Sequence, residues 1–482
     1  MVGAEDDIQS SILVAKWERV QVNEKVTCEL PPDMVGFMKS TNELDSPVTY
    51  GVLLAAVLTP EMSEDENQAS LDELARLVKT LGRHVCGQIW QRKSGYGSKM
   101  VLGEGKLFEI ADRIVELASS GMVVTQVIFD RELSPLQGRN VEQMINGRLL
   151  EREYDTEISV TDRTGVIIEI FSRHAKTRQA RLQIEMARLK YTAPRLRGQV
   201  EHHGDRQAGG IGAKGAGETA LELKRRQLRD RVAELRRELE SLESENELRR
   251  EKRHVQTVGL VGYTNAGKSS LMRGLTGSDV YVADKLFATL DVTTRQLHPP
   301  AVPPILITDT VGFVRFLPHD LVASFKSSLA EANHADFLLH VVDASDPQFR
   351  TQMKTTEEVL TELGANQQER QIVLNKIDQV TIAQMHLLQG EFPMAWMVSA
   401  VESESLQELR QKIVRHFEQN QKLVQVLIPF SESRLIGEIR KVATVTNESY
   451  NEIGTLLNFQ IKPADLGRLR SYFPQIEFVE KS

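Results

Sequence analysis

Apolar positions fall into a repeating order from Tyr50 onward. Residues 52–58 form an unbroken apolar run, as a strand covered on both faces requires. Leu71, Leu74, Leu77, Val78 and Leu81 then recur at helical spacing. Strand-like stretches at 85–90 and 123–129 flank a second helical set, Leu107, Ile110, Ile114 and Leu117. This alternation predicts a small α/β domain on a parallel sheet. Ser134 and Pro135 read as the N-cap and first residue of a further helix. Asp130 and Arg131 follow the third strand, where α/β ligand sites tend to lie, although an ordinary helix-capping turn explains them equally well.

The period then changes. Leu182, Met186, Leu189, Ala193 and Leu196 alternate steps of four and three, and Leu221, Leu228, Val232, Leu235, Leu239 and Leu242 keep the same seam. Two amphipathic helices that bury these stripes against each other predict an antiparallel hairpin, with glycine-rich residues 198–217 as its tip. At about 1.5 Å per residue, the second helix carries that tip on the order of 40 Å. Strand-like runs follow at 255–261, 304–308, 337–343, 371–374 and 395–398, and predict a second sheet. After Asn420 a strand at 423–428, a helix marked by Leu435, Ile436, Ile439 and Val442, and strand-like pieces at 455–461 and 476–479 around a short helix near 466–469 predict a compact α+β unit without chemistry of its own. The expected architecture is a multidomain α/β chain. It comprises an extension (1–47) containing Pro31 and Pro32, an N-terminal α/β domain (48–172), a basic helical hairpin (173–253), a P-loop domain (254–420) and a small α+β C-terminal domain (421–482).

Composition narrows the setting. The chain has 482 residues, enough for three or four domains, and its 41% hydrophobic and 26% charged content is ordinary for a soluble globular protein. Cys28 and Cys86 have no CxxC partner, so neither a disulfide framework nor a zinc site is indicated, and a cytoplasmic setting is expected. Glu5, Asp6 and Asp7 do not suit a signal peptide, and no apolar run approaches the roughly 18 residues of a membrane span. The net charge of −8 alone argues against nucleic acid. Yet residues 173–237, opening on Arg173 and closing on Arg237, hold 17 lysines and arginines against 7 acidic residues. That local excess points to a phosphate-rich partner, RNA first, over a merely solvated face or a protein-binding coiled coil on a signalling switch. His202 and His203 lack further ligands for a metal. The loose GxGxxG at 210–215 lacks a preceding strand, so it does not read as a second nucleotide loop.

The chemistry lies in the second sheet. Gly262, Tyr263, Thr264, Asn265, Ala266, Gly267, Lys268 and Ser269 follow a strand and, with Ser270, open a helix, the context a phosphate-binding P-loop requires. Lys268 is expected on the β- and γ-phosphates and Ser269 on Mg²⁺. Downstream, Phe287, Ala288 and Thr289 form a loop whose Thr289 hydroxyl suits Mg²⁺ and the γ-phosphate. Asp309, Thr310, Val311 and Gly312 end a strand, with Asp309 on Mg²⁺ through water and the Gly312 N–H on the γ-phosphate. Asp378 can accept from the N1–H and amino group of guanine, a donor pair adenine lacks. Asn375 is expected to tie this loop to the P-loop, the Lys376 stem to cover the base, and the Ser399–Ala400 backbone to complete the base pocket. The order predicts GTP and GDP as ligands, with Lys268, Thr289, Gly312 and Asn265 as catalytic candidates. Phe313 stands where Ras-like enzymes place a water-orienting glutamine, so hydrolysis needs another residue or a partner. Asn265 completes a GxxNxGKS loop of the kind that binds K⁺ beside the phosphates in related GTPases.

The combination resembles the HflX family of ribosome-associated GTPases. The matching stretches are Leu133 to Pro135, Asp162 to Gly165, Gly209 to Gly212, Gly215 to Thr219, Gly262 to Ser269, Phe287 to Asp291 and Asp309 to Phe313, and the resemblance spans residues 48–482. It implies binding to the ribosome, chiefly the large subunit, with the hairpin tip reaching toward the peptidyl-transferase region. Ribosome-stimulated GTP hydrolysis, splitting of stalled ribosomes under stress and, in some members, ATP-dependent RNA activity in the N-terminal domain are also implied. A monomer is expected. Val292, Lys214, Ala216, Ser403 and Ser405 depart from the family pattern at positions usually held by proline, arginine, proline, glycine and glycine.

Overall fold

In this computed structural model, residues 49–97, 99–195, 213–251, 255–277, 287, 293–317, 335–365, 368–419 and 421–481 are described. The extension and residues 198–212 of the glycine-rich tip lie outside them. The first domain follows the alternation of its sequence: β1 (Thr49–Leu58), α1 (Glu64–Thr80), β2 (His84–Arg92), α2 (Glu104–Ser119), β3 (Met122–Phe129), α3 (Pro135–Glu151) and β4 (Ser159–Asp162). The strands are parallel in the order β2-β1-β3-β4. β1 is buried from Gly51 to its end, which is why its side chains are apolar without alternation. Ser134 caps α3 through a reciprocal bond set with Gln137, and Pro135 occupies the first turn.

β4 and the helix it leads into, α4 (Arg163–His174), carry no clear sequence signal. Four residues are too few to display a strand period, and the run Val166–Ile170 suits a buried helix or a strand alike. Asp162 caps α4 by accepting from the Gly165 N–H at 2.9 Å. The same carboxylate accepts from the Leu133 N–H, the Tyr191 hydroxyl and Arg195, so it fastens the start of α3 to the next helix.

That next helix, α5 (Arg178–Thr192), packs against α6 (Ala213–Glu251). Arg178 pairs with Glu238 and Glu185 with Arg231, so partner numbers run in opposite directions and the two helices are antiparallel. Leu182, Leu235 and Leu239 are buried between them, with Met186, Leu189 and Leu242 alongside. One boundary needs correction. Residues 213–217, read from sequence as part of the tip, already belong to the backbone of α6.

The P-loop domain contains β5 (Gln256–Gly262), α7 (Lys268–Thr276), β6 (Thr293–Gln296), β7 (Ile305–Asp309), β8 (Phe337–Asp343), α8 (Phe349–Glu362), β9 (Arg370–Asn375), α9 (Ile382–Glu391), β10 (Trp396–Met397) and α10 (Ser403–Gln419). Its sheet order is β10-β9-β8-β5-β7-β6, parallel except for β6. β5 therefore sits between β7 and β8, and the loops after all three strands gather at one edge. The last domain is an antiparallel sheet, β12-β13-β11-β14, built from β11 (Lys422–Pro429), β12 (Ala443–Tyr450), β13 (Gly454–Ile461) and β14 (Phe478–Lys481) with α11 (Arg434–Val442) and α12 (Pro463–Tyr472). β12 escapes sequence reading because it is a polar edge strand with one buried residue.

The α/β and P-loop domains are not separate bodies. Val52, Leu54, Ile167 and Phe171 share one apolar cluster with Val261, Val311, Phe313 and Val314.

Candidate nucleotide-binding site

β5 delivers the chain to the P-loop, and α7 begins at Lys268, so the helix N-terminus faces the loop. Lys268 is buried, and its Nζ donates to the carbonyls of Gly262 (2.9 Å) and Tyr263 (2.7 Å). Burial pushes its ammonium down to about 8, partly offset by the charge of Asp309. A desolvated cation held by carbonyls gains most from an anion.

Ser269 Oγ donates to Asp309 Oδ2 at 2.8 Å, joining the first turn of α7 to the end of β7. This all-oxygen pair suits a hard divalent cation. Thr289, the third expected ligand, lies outside the described residues, as does Ala288. Thr310 turns away to donate to the Leu260 carbonyl at 2.7 Å. Gly312 lies against the P-loop: a Cβ there would stand 2.9 Å from Thr264 Cα and 3.0 Å from Lys268 Nζ. Phe313 is buried in the shared apolar cluster. Its N–H donates to the Gly262 carbonyl (3.2 Å) and its carbonyl accepts from the Thr264 N–H (2.7 Å), so backbone pairing holds the two loops together.

Asn375 joins the phosphate end of the pocket to the base end. Its Nδ2 donates to the Ala266 carbonyl at 2.8 Å, and its Oδ1 accepts from the Ala400 N–H at 3.1 Å. Gly267 makes room for it: its φ is 96°, and the Asn375 amide occupies the place a Cβ would take. Asp378 Oδ1 accepts from Ser399 Oγ at 2.8 Å, while the Ser399 N–H donates to Ser405 Oγ at 2.8 Å. Ser405, a departure from the family pattern, thus holds the turn through a side-chain bond. Lys376 adopts φ 62° and its Nζ pairs with Asp343 at 2.6 Å.

Two side chains of these loops face the α/β domain. The side chain of Tyr263 turns from the phosphate side into the α/β domain, where its hydroxyl donates to Glu73 Oε1 (2.5 Å) and accepts from the Arg315 N–H (2.7 Å). Phe287 is buried and meets Phe171 edge-on at 4.6 Å, so its ring belongs to the interdomain cluster. Asn265 is exposed at φ 63°, and Val311 is buried. Ser270 follows Ser269 in the first turn of α7.

Sequence reading also missed a polar hub beside the site. Arg163, 1% exposed, donates to Glu73 (2.8 Å), Asp130 (2.6 Å) and the Ser70 carbonyl (2.8 Å). Asp130 additionally accepts from Ser70 Oγ at 2.6 Å, so its carboxylate is engaged within this hub. The only signal was the Asp162-Arg163-Thr164-Gly165 match, which gave no partners. Among the described residues no cluster of three or more metal-ligating side chains occurs, and no helix is long and apolar enough to cross a membrane.

Family models match three consecutive stretches: a GTP-binding GTPase N-terminal model over 68–172, a GTP-binding GTPase middle region over 174–253 and a 50S ribosome-binding GTPase over 257–376. The chain is 44% identical over 460 residues to a GTPase HflX of Gluconacetobacter diazotrophicus, covering 89% of this chain and 98% of that one. A GTPase HflX of Escherichia coli is 36% identical over 421 residues, covering 86% and 95%. A solved GTP-binding protein from Sulfolobus solfataricus in complex with GDP aligns with a TM-score of 0.39 at 23% identity, over 76% of this chain and 99% of that one. The chain belongs to the HflX family of GTPases and is a GTP hydrolase.

Proposed function

We propose that this GTPase acts on the ribosome, chiefly on the large subunit, and that its nucleotide state sets its affinity there. The observation that carries this reading is the exposed basic face of α6, where Lys224, Arg226, Arg229, Arg236 and Arg237 are open to solvent just before the strand that feeds the P-loop. Ribosomal RNA is the phosphate-rich surface such a face would meet. The description of the matching model, a 50S ribosome-binding GTPase, supports the same partner. Splitting or rescue of stalled ribosomes under stress is the role the family resemblance favours, for a monomer in the cytoplasm.

Within the site, Lys268 would bind the β- and γ-phosphates, and the P-loop N–H groups would cradle them. Gly312 would offer its N–H to the γ-phosphate, and Asp378 would select guanine while Asn375 holds both ends of the pocket in register. Ser269, Asp309 and Thr289 would hold Mg²⁺, which bridges and partly neutralises the β- and γ-oxygens when bound. Asn265 would bind K⁺ beside the phosphates. Equal ribosome-stimulated turnover in sodium and potassium buffers sinks that last assignment.

Sedimentation with purified large subunits tests the whole reading, using wild type and a chain lacking residues 198–212. Binding that is stronger with a non-hydrolysable GTP analogue than with GDP, weaker at higher salt and impaired by the deletion is expected. Salt-independent binding unaffected by the deletion would point to a protein-binding coiled coil.

A further inference from the structure

Phe313 leaves the hydrolytic water without the glutamine that Ras-like enzymes use. Its ring is 1% exposed and lies in the apolar cluster shared by the two domains, so it cannot reach that water. The water then needs a polar group from another residue of the chain or from a partner. The hydroxyls expected near the phosphates are mostly engaged. Ser269 bonds Asp309, and Thr310 bonds the Leu260 carbonyl. Thr264 differs. Its side chain is buried, at 6% exposure, and Oγ1 has no hydrogen-bond partner. A buried hydroxyl left unpaired costs about 1–3 kcal/mol, so it calls for an explanation.

The place of Thr264 is set by its neighbours. Thr264 Cγ2 lies 2.8 Å from where a Cβ on Gly312 would stand, and Lys268 Nζ lies 3.0 Å from the same point. Thr264 Cα lies 2.9 Å from that point as well, so the residue stands against Gly312 and beside the lysine. The backbone is fixed as well, because the Thr264 N–H donates to the Phe313 carbonyl at 2.7 Å.

We infer that the Thr264 hydroxyl is a catalytic group for GTP hydrolysis: it accepts a hydrogen bond from the attacking water and donates one to a γ-phosphate oxygen. This rests on the nucleotide site proposed above. The water oxygen bonds to the γ-phosphorus as the bond to the β–γ bridging oxygen breaks, and that electron pair stays on GDP. One water proton passes to a γ-phosphate oxygen, so GTP and water become GDP and dihydrogen phosphate. Thr264 ends as it began, and its contribution is position.

The test compares Thr264→Val, which keeps the shape without the hydroxyl, with Thr264→Ser, which keeps the hydroxyl. Full-length chains are assayed for affinity to a fluorescent GDP analogue and for single-turnover GTP hydrolysis, with and without ribosomes. The valine variant is expected to bind GDP within about threefold of wild type but to hydrolyse roughly 100-fold more slowly, with serine restoring most of the rate. Wild-type hydrolysis by the valine variant, or equal losses in valine and serine, overturns the inference. Should the valine variant fail to bind GDP, Thr264→Ala against Thr264→Ser decides on the same criterion. A wild-type chain that binds no GDP sinks the nucleotide site itself, a result distinct from any of these.

Discussion

Arg163 and Lys268 are the buried arginine and the buried lysine among the described residues, and their surroundings differ in kind. Arg163 is desolvated, which opposes its charge, yet Asp130 and Glu73 outweigh that and hold its guanidinium above its ordinary range. Its donors meet two carboxylates, three carbonyls and a hydroxyl. Lys268 is equally buried but meets only carbonyls at hydrogen-bonding distance, and its ammonium is held below its ordinary range. A buried cation with its anions in place is an anchor, whereas one short of an anion is a receptor. Tyr263 stands between them, since its carbonyl serves Lys268 and its hydroxyl serves Glu73, the partner of Arg163.

The largest effect expected from this contrast is at the anchor. Arg163→Ala strands Glu73 and Asp130 as buried charges and should lower the stability of the nucleotide-free chain by about 3–5 kcal/mol. Chemical unfolding reads this directly, and a loss below about 1 kcal/mol would mean that water or rearrangement satisfies the carboxylates. A third buried base gives an intermediate effect. His340, in the middle of β8, is pulled down to about 4 by burial and then by the positive charges of Arg370 and Lys268. An unfolded histidine titrates near 6.5, so below that pH the unfolded chain takes up a proton that the native chain refuses. Stability should therefore fall as pH drops from about 6.5 toward 4, by about 3 kcal/mol in total, and His340→Leu should remove that part of the slope. An unchanged slope would show that His340 titrates normally.

The smallest effect tests the link between anchor and receptor. Tyr263→Phe leaves Glu73 with Arg163 but strips the acceptor from the Arg315 N–H, which should cost about 1–2 kcal/mol in unfolding experiments. If GDP affinity falls in the same variant, the hub positions the P-loop. If stability alone changes, the two sites are independent.

The receptor was legible in the chain and the anchor was not, for a physical reason. Lys268, Asp309, Asn375 and Asp378 sit in short motifs, each next to a strand whose apolar run announces it, so spacing alone carries their chemistry. The α5–α6 seam was legible for a similar reason, because a near-heptad period records a partner helix without naming it. The anchor gathers Ser70, Glu73, Asp130, Arg163, Tyr263 and Arg315 from positions up to 245 residues apart, and no local period encodes which charge will meet which. Tyr263 shows the limit within one residue. Its place in the P-loop motif was correct, but the direction of its ring depended on a second domain. Phe287 meets the same limit, as its neighbour Phe171 lies far back in the chain.

Thermal unfolding of the full-length chain with saturating GDP and Mg²⁺, against ADP and Mg²⁺, most directly tests whether Lys268 is held ready for a guanine nucleotide. At about 100 times the dissociation constant GDP should stabilise wild type by about 2.7 kcal/mol, and ADP should not. Lys268→Ala should unfold like nucleotide-free wild type and lose the response to GDP. Equal stabilisation by ADP, or a full GDP response in Lys268→Ala, would contradict the account.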